Sequence, residues 1–432
     1  MQFRLLTVLF LLMIAVCFGQ TSSGAKPAIG STEAQQSIPL PGPGEEMAAP
    51  PRPTLTGNDP KPQDATKAIL AAFGKYEVVG MGAAHGNQDL DQFILNLIRD
   101  PELPGKVNDI VVECGNSLYQ PILDRYIAGD DVPLDQARQV WRNTTQPMCS
   151  VSGFYEELFP LVRRINQRLP PERRFRVVAA DPPVDWRKIK TAAEFGRGQF
   201  MMRDPVIASV MEMEVLSKHR KALMLFGALH LYHNHGGPMF LASAVEEYEK
   251  NYPGVTFVIA DHAGFGSHSP LEKYNDEFES RMAAWPIPSL VEDLPGTWLA
   301  DLLDKTHSSG GTNVMFGVGK NGKRTETSID SGGVSFSKMA DAYLYLGPRD
   351  LLLKAPNPAE VFLDRDYMAE MKRRAAIIGP GPVTDQADPE KISDRDYNPF
   401  FYDPNEMQKM MGFGEKTGSK KMIPLGSTPP PK

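Results

Sequence analysis

Two stretches of this chain place a histidine three residues after a glycine, each just beyond an apolar run. The first, Gly82-Ala83-Ala84-His85, follows Val78-Val79-Gly80-Met81, and the second, Gly227-Ala228-Leu229-His230, follows Leu223-Met224-Leu225-Phe226. A glycine at that spacing permits a sharp turn or a close backbone approach, so each imidazole can be aimed off a strand end. Neighbouring strands lie about 4.8 Å apart. Two such imidazoles can therefore share one substrate, or one metal ion at about 2.1 Å from each nitrogen. The chemistry on offer is proton transfer or metal ligation.

Other ionisable groups occupy equivalent places. Glu113 closes the run from Asp109, Asp181 closes the run from Phe175, and Asp261 with His262 closes the run from Thr256. For Asp181, which precedes Pro182 and Pro183, and for Asp261, capping of the next helix is the favoured reading. Glu113 differs, because Val111 and Val112 carry it inward. A buried carboxylate is costly unless it meets a metal, an arginine or hydrogen-bond donors. His233 and His235 crowd the second motif, where a loop or cap role competes with ligation. His219, His268 and His307 stand in polar runs and read as surface residues. The sequence holds no HExxH, no GxSxG and no P-loop, so zincin, serine-hydrolase and nucleotide readings lose their usual support.

The elements that must position these groups follow from the apolar pattern. Short runs at 77–81, 109–113, 175–181, 222–227 and 256–261 read as strands. Between them Leu90, Phe93, Ile94, Leu97 and Ile98 share a helical face, as do Phe154, Leu158, Leu161, Val162, Ile165 and Leu169. Further helices are expected over 203–219 and 238–251. Strands alternating with helices imply an α/β fold, a largely parallel central sheet with helices on both faces. Ligands then bind beyond the carboxyl ends of the strands. After His262 the pattern weakens until a strand at 341–347 and a helix from about Pro358 to Ile377.

The chain has 432 residues, 41% of them apolar. The domain map reads: signal peptide 1–19; Pro-rich linker 20–63; one α/β domain 64–379, with a core at 66–265 and a C-terminal elaboration at 266–379; and a largely disordered tail 380–432, in which 400–413 could form a short helix. The leader carries Arg4 and an apolar stretch from Leu5 to Phe18, which points to a secreted or periplasmic protein. Cys17 leaves lipidation as an alternative. No segment reaches the ~20 apolar residues of a membrane-spanning helix. Cys114 and Cys149 are the cysteines beyond the leader, allowing at most one internal disulfide. The net charge of −7, with lysines and arginines scattered, excludes nucleic acid as a partner.

Two GxxH motifs, a glutamate closing the second strand and an arginine opening a helix resemble the superfamily of erythromycin esterase, the ChaN-like haem-binding lipoproteins and the Tiki/TraB proteins. The resemblance runs from about Tyr76 to His262, in motif order. It implies an erythromycin esterase/ChaN-like fold and assigns catalytic or ligand-binding roles to His85 in GAAHG, Glu113 in VVEC, Arg203 in RDPVIA and His230 in GALH. One departure stands out: family members with esterase or ChaN-like character carry a glutamate just before the first histidine, where this chain has Ala83-Ala84.

The leading functional expectation is a hydrolase that cleaves an ester or amide bond in a small-molecule or peptide substrate. In one form His85, Glu113 and His230 hold a divalent metal whose bound water is the nucleophile; in the other His85 is the base and Glu113 orients it. Arg203 steadies the oxyanion in either form. The alternative is a non-catalytic carrier of haem or another small ligand, with a crevice histidine as axial ligand. A secreted interaction module with tethering tails is the third reading. Trp141, Trp186 and Trp298 either line the pocket or fill the core, and the methionines of the 201–215 segment face the same choice.

Overall fold

Strands buried on both faces should read as uninterrupted apolar runs, and the computed structural model places those runs side by side. It describes residues 55–82, 86–146, 149–196, 203–234, 242–262, 275–304, 312–318, 324–330, 335–353, 355–356 and 358–378. The leader, the C-terminal tail, His85, His235, His268 and His307 lie outside the described residues.

The strands of the main sheet are β1 (Gln63–Asp64), β2 (Val78–Gly82), β3 (Asp109–Asn116), β4 (Arg176–Asp181), β5 (Ala222–Phe226), β6 (Thr256–Asp261), β7 (Ser289–Val291) and β10 (Ala342–Tyr345). Their order is β1-β7-β10-β6-β2-β5-β3-β4. From β10 to β4 every neighbouring pair is parallel, and β7 adds an antiparallel edge that β1 extends. A separate antiparallel hairpin pairs β8 (Thr312–Val318) with β9 (Arg324–Asp330). The expected α/β class holds, as a mostly parallel mixed sheet.

Side chains alternate across the sheet with the period of two that strands impose. Val79, Met81, Ile110, Val112, Leu223 and Leu225 join one core with the helices α1 (Ala65–Ala72), α2 (Gln88–Arg99), α3 (Gln120–Ala128), α4 (Leu134–Arg142) and α5 (Gly153–Asn166). Val78, Val111, Ala222, Met224, Phe226 and Val258 join the other. On that side lie α7 (Arg203–Glu214), α9 (Ala244–Tyr248), α10 (Asn275–Met282) and α11 (Trp298–Leu303). Short helices α6 (Ala192–Gly196) and α8 (Ala228–Leu231) complete this part. Trp141, Trp186 and Trp298 are at most 4% exposed and fill the core. Met211 is buried, whereas Met213 is 57% exposed.

This layering defines where a ligand can enter. The helix that follows β2, α2, packs on one face of the sheet, while α9 and α10, which follow the neighbouring β5 and β6, pack on the other. Adjacent strands whose connections depart to opposite faces leave a crevice at their carboxyl ends. Here β2 has such a neighbour on each side.

The residues 55–63, expected to end the linker, are docked: the Asn58 amide donates to Gly296 O, and Trp298 Nε1–H donates to Asp59 Oδ1. All described residues belong to one compact unit, Pro53–Lys432. The expected C-terminal helix is broken into α12 (Ala359–Phe362) and α13 (Arg365–Ile378). Asp364 interrupts it, accepting the Tyr367 amide at 3.0 Å in the manner of an N-cap.

Cys114 and Cys149 form a disulfide across a separation of 35 residues. It ties the end of β3 to the turn before α5. Next to it β3 shifts register against β4 between Val112 and Asn116. A Cβ on Gly115 would stand 2.8 Å from the Ala179 backbone, so glycine is what lets the two strands close. A Cys114→Ser/Cys149→Ser double variant is expected to lose about 2–4 kcal/mol of unfolding free energy through the freed denatured chain. Urea unfolding with and without reductant checks this. Wild type should fall to the variant's midpoint on reduction, and an unchanged midpoint would count against the bridge.

Candidate functional site

Glu113 points from β3 toward the face of α7, 1% exposed. Its neutralisation comes from the first residue of that helix. Arg203 Nη2 donates to Glu113 Oε1 at 2.9 Å, and the Gly227 amide donates to Oε2 at 2.7 Å. The second contact uses the backbone at the start of the GxxH turn after β5. Asp181, fully buried at the end of β4, takes Arg203 Nε–H on Oδ1 at 3.1 Å. Thr145 supplies its amide to Asp181 Oδ2 at 2.5 Å and its hydroxyl to Oδ1 at 2.8 Å. The third branch of the guanidinium, Nη1, faces His230 Nε2 at 3.0 Å. Three branches of one arginine thus meet groups from β3, from the end of β4 and from α8 beyond β5.

His230 stands on α8, its Nδ1 2.6 Å from Asp204 Oδ1. Asp204 follows Arg203 in the first turn of α7, where a negative charge complements the helix dipole. The tautomer follows from donor logic. A guanidinium only donates, so Nε2 must accept from Arg203, and the ring proton sits on Nδ1 toward Asp204. Burial pushes the imidazole pKa down, but hydrogen bonds to Asp204 and Glu113 outweigh it and bring the value up to about 9. The two observations describe different arrangements. Proton uptake at Nε2 requires that nitrogen to turn from Arg203 to Glu113 Oε1, 3.6 Å away. While Nε2 faces Arg203 the ring is neutral, because two N–H groups cannot face each other at 3.0 Å.

Burial raises the pKa of Asp181, opposed by Arg203 and the Thr145 donors. The Arg203 guanidinium is held charged: burial works against it, and Glu113 and Asp181 more than compensate. Among the described residues three of its five N–H groups are engaged.

Of the residues expected from the sequence, Glu113, Arg203 and His230 come together, and His85 lies outside the described residues. His233 belongs elsewhere. Its Nε2 lies 3.3 Å from Asp341 Oδ2 and its Nδ1 3.4 Å from Glu249 Oε2, pinning the chain after α8 to β10 and α9. His219 is exposed, as expected. Thr145 and Asp204 were not anticipated. Asp204 carried a signal, being the acidic residue next to Arg203 at a helix start; Thr145 gave none, because its contact spans 36 residues.

Of the expected ligands, Glu113 and His230 as placed do not fit a divalent cation, and His85 lies outside the described residues. The His230 nitrogen that would face a metal faces a guanidinium instead, and the same guanidinium occupies Glu113 Oε1. A cation at that point would be repelled at contact distance. Among the described residues no group of three or more His, Cys, Asp or Glu side chains is arranged to hold a metal, and no helix is long and apolar enough to cross a membrane.

No family model and no curated protein matches this chain. Three solved structures are similar at low identity. A Bacillus cereus protein shares 12% identity at a TM-score of 0.38, covering 67% of this chain and 95% of its own. The type III effector HopBA1 shares 13% at 0.32, covering 50% and 93%. A succinoglycan biosynthesis protein shares 9% at 0.39, covering 67% and 94%.

Proposed function

We propose that this chain is a metal-independent hydrolase of the erythromycin esterase, ChaN-like and Tiki/TraB superfamily, exported from the cytoplasm, that cleaves an ester or amide bond. The observation that carries the reading is the convergence of Glu113, Arg203, His230 and Asp181 beside the crevice at the carboxyl edge of the sheet. Superfamily membership rests on motif order, and export on the leader together with the disulfide.

His230 has its Nε2 engaged by Arg203, so the base that activates water is assigned to the other GxxH histidine, His85. Glu113, fixed by Arg203 and the Gly227 amide, orients the site. The remaining N–H groups of Arg203 offer donors to the oxyanion. Arg203 is chiefly a positioning residue, because its charge is already matched by Glu113 and Asp181.

The test is a panel of esters and amides with the purified mature protein, in chelator and with added divalent cations. Wild type is expected to turn over at least one substrate in chelator, and His85→Ala to lose on the order of 10²–10⁴-fold in kcat. Circular dichroism confirms that the variant folds. No turnover on any substrate sinks the hydrolase reading; activity that vanishes with chelator and returns with a cation sinks its metal independence. A Soret band on haem titration without turnover would establish the carrier reading instead.

A further inference from the structure

Asp181 takes its amide and hydroxyl donors from Thr145, and Thr145 stands in an irregular stretch, 143–146, that follows α4. Such a stretch cannot satisfy its own backbone carbonyls, so neighbouring side chains must do it. Asn116 Nδ2 donates to Asn143 O at 2.6 Å, and Trp186 Nε1–H donates to Thr144 O at 3.0 Å. A further grip comes from far along the chain. Arg374 on α13 donates through Nη1 to Arg142 O at 2.7 Å and through Nη2 to Asn143 Oδ1.

The same helix holds the other side of the Thr145–Asp181 contact. Arg373 donates to Ile189 O and to Trp186 O, each at 2.8 Å, so the chain that leaves Asp181 at the end of β4 is tied to α13 as well. The Arg374 guanidinium lies over the Trp186 ring, 5.0 Å from its centroid. Arg374 is 4% exposed, and Glu370 Oε1 meets its charge, accepting from Nε at 2.8 Å. Docking alone does not require this arginine, since Met368 already packs with Val151, Val361 and Phe362. A buried guanidinium carries a desolvation cost that an apolar side chain avoids. What it adds is direction, because a rigid planar fork fixes its acceptors relative to one another.

We propose that Arg374 is a positioning residue of the site, setting Arg203 through Thr145 and Asp181. The lever is short. Loss of the Arg374 donors leaves Arg142 O and Asn143 Oδ1 to find other partners, and the backbone shift carries Thr145 with it. A displacement of about 1 Å takes the Thr145 contacts to or beyond the limit of a hydrogen bond. Asp181, fully buried, is then left with the Arg203 contact, and the guanidinium turns toward it and away from His230 Nε2. Consequences for turnover rest on the hydrolase reading above; those for the His230 ring do not.

The imidazole itself reports the effect. Histidine-selective 15N labelling of the full chain gives the His230 signals, assigned by their loss in His230→Gln. In Arg374→Met the Nε2 signal is expected to shift or broaden, because that acceptor has lost its fixed donor. Arg374→Lys keeps the charge opposite Glu370 but cannot address Arg142 O and Asn143 Oδ1 together. It should move the signal too, and it stands in if the methionine variant does not fold. Met368→Ala is the control, weakening the apolar docking of α13 while leaving the Arg374 donors in place. It should lower the urea midpoint with the His230 signal unmoved. On an ester that wild type turns over, both Arg374 variants should lose up to about 10²-fold in kcat with KM little changed. An unmoved His230 signal in both Arg374 variants, or the same movement in Met368→Ala, overturns the assignment whatever the activities show. Absence of any wild-type turnover sinks the hydrolase reading and leaves the His230 comparison to decide this one.

Discussion

Replacing Arg203 by methionine is expected to cost about 3–5 kcal/mol of unfolding free energy, the usual penalty for orphaning a buried charge. Two carboxylates are orphaned here. Glu113 and Asp181 are 1% and 0% exposed, and each loses its guanidinium contact, Glu113 keeping the Gly227 amide and Asp181 the Thr145 donors. Lysine should rescue little, since one ammonium cannot address Glu113, Asp181 and His230 along three directions. The pH dependence follows. Burial already raises the Asp181 pKa above its usual value, and the guanidinium opposes that rise, so its loss raises the folded-state pKa further. The folded state then holds protons that the unfolded state releases, so the variant's stability falls as pH rises through the carboxylate range. Urea unfolding of wild type and Arg203→Met at pH 5 and pH 8 checks both points. A loss below about 1 kcal/mol at pH 8, or an equal loss at both values, would show that the carboxylates are not buried as described.

Asp91 sets up the second large effect. It lies in the first turns of α2, 6% exposed, and its Oδ1 has no hydrogen-bond partner among the described residues. Burial first, and Glu157 second, push its pKa up to about 8 from a usual value of 3.8. Its protonated form is therefore the one the fold tolerates. For an acid shifted upward, the full stability is present below the unfolded pKa and declines as pH rises toward the folded one. Between pH 4 and pH 8 the decline attributable to Asp91 is on the order of 5 kcal/mol. Asp91→Asn, which carries no ionisable proton, should be more stable than wild type at pH 8 by that order and nearly equal to it at pH 4. Denaturation curves that differ by a constant amount across this range would contradict the burial of a lone carboxyl.

The sequence announced the parallel strands because burial on both faces demands apolar runs, and DIVVE or TFVIAD admit few other readings. It announced much less at the margins. β1 and β7 span Gln63–Asp64 and Ser289–Val291, too short to carry a period. The β8–β9 hairpin lies in a polar, Gly-rich stretch without apolar alternation, although Asn321-Gly322 between the two strands is a strong short-range hairpin signal. In the site, Glu113 and His230 are legible from the apolar runs they follow, whereas Arg203 is legible only through the resemblance of RDPVIA to a family motif. Asp181 was read as a cap; its burial against Arg203 depends on where α7 docks, which no local pattern encodes. The pairing of Cys114 with Cys149 was likewise a matter of tertiary distance.

Sharing one guanidinium among three acceptors has a consequence for how this site responds to variation. Glu113, Asp181 and His230 do not hold Arg203 by independent contacts, since loss of any one frees the planar group to rotate and changes its geometry to the other two. Free energies add only for sites without common partners. Substitutions at these positions will therefore combine sub-additively, the second costing far less than it does alone. In genetic terms the four residues form a single locus of effect, open to joint replacement and poorly open to change one residue at a time.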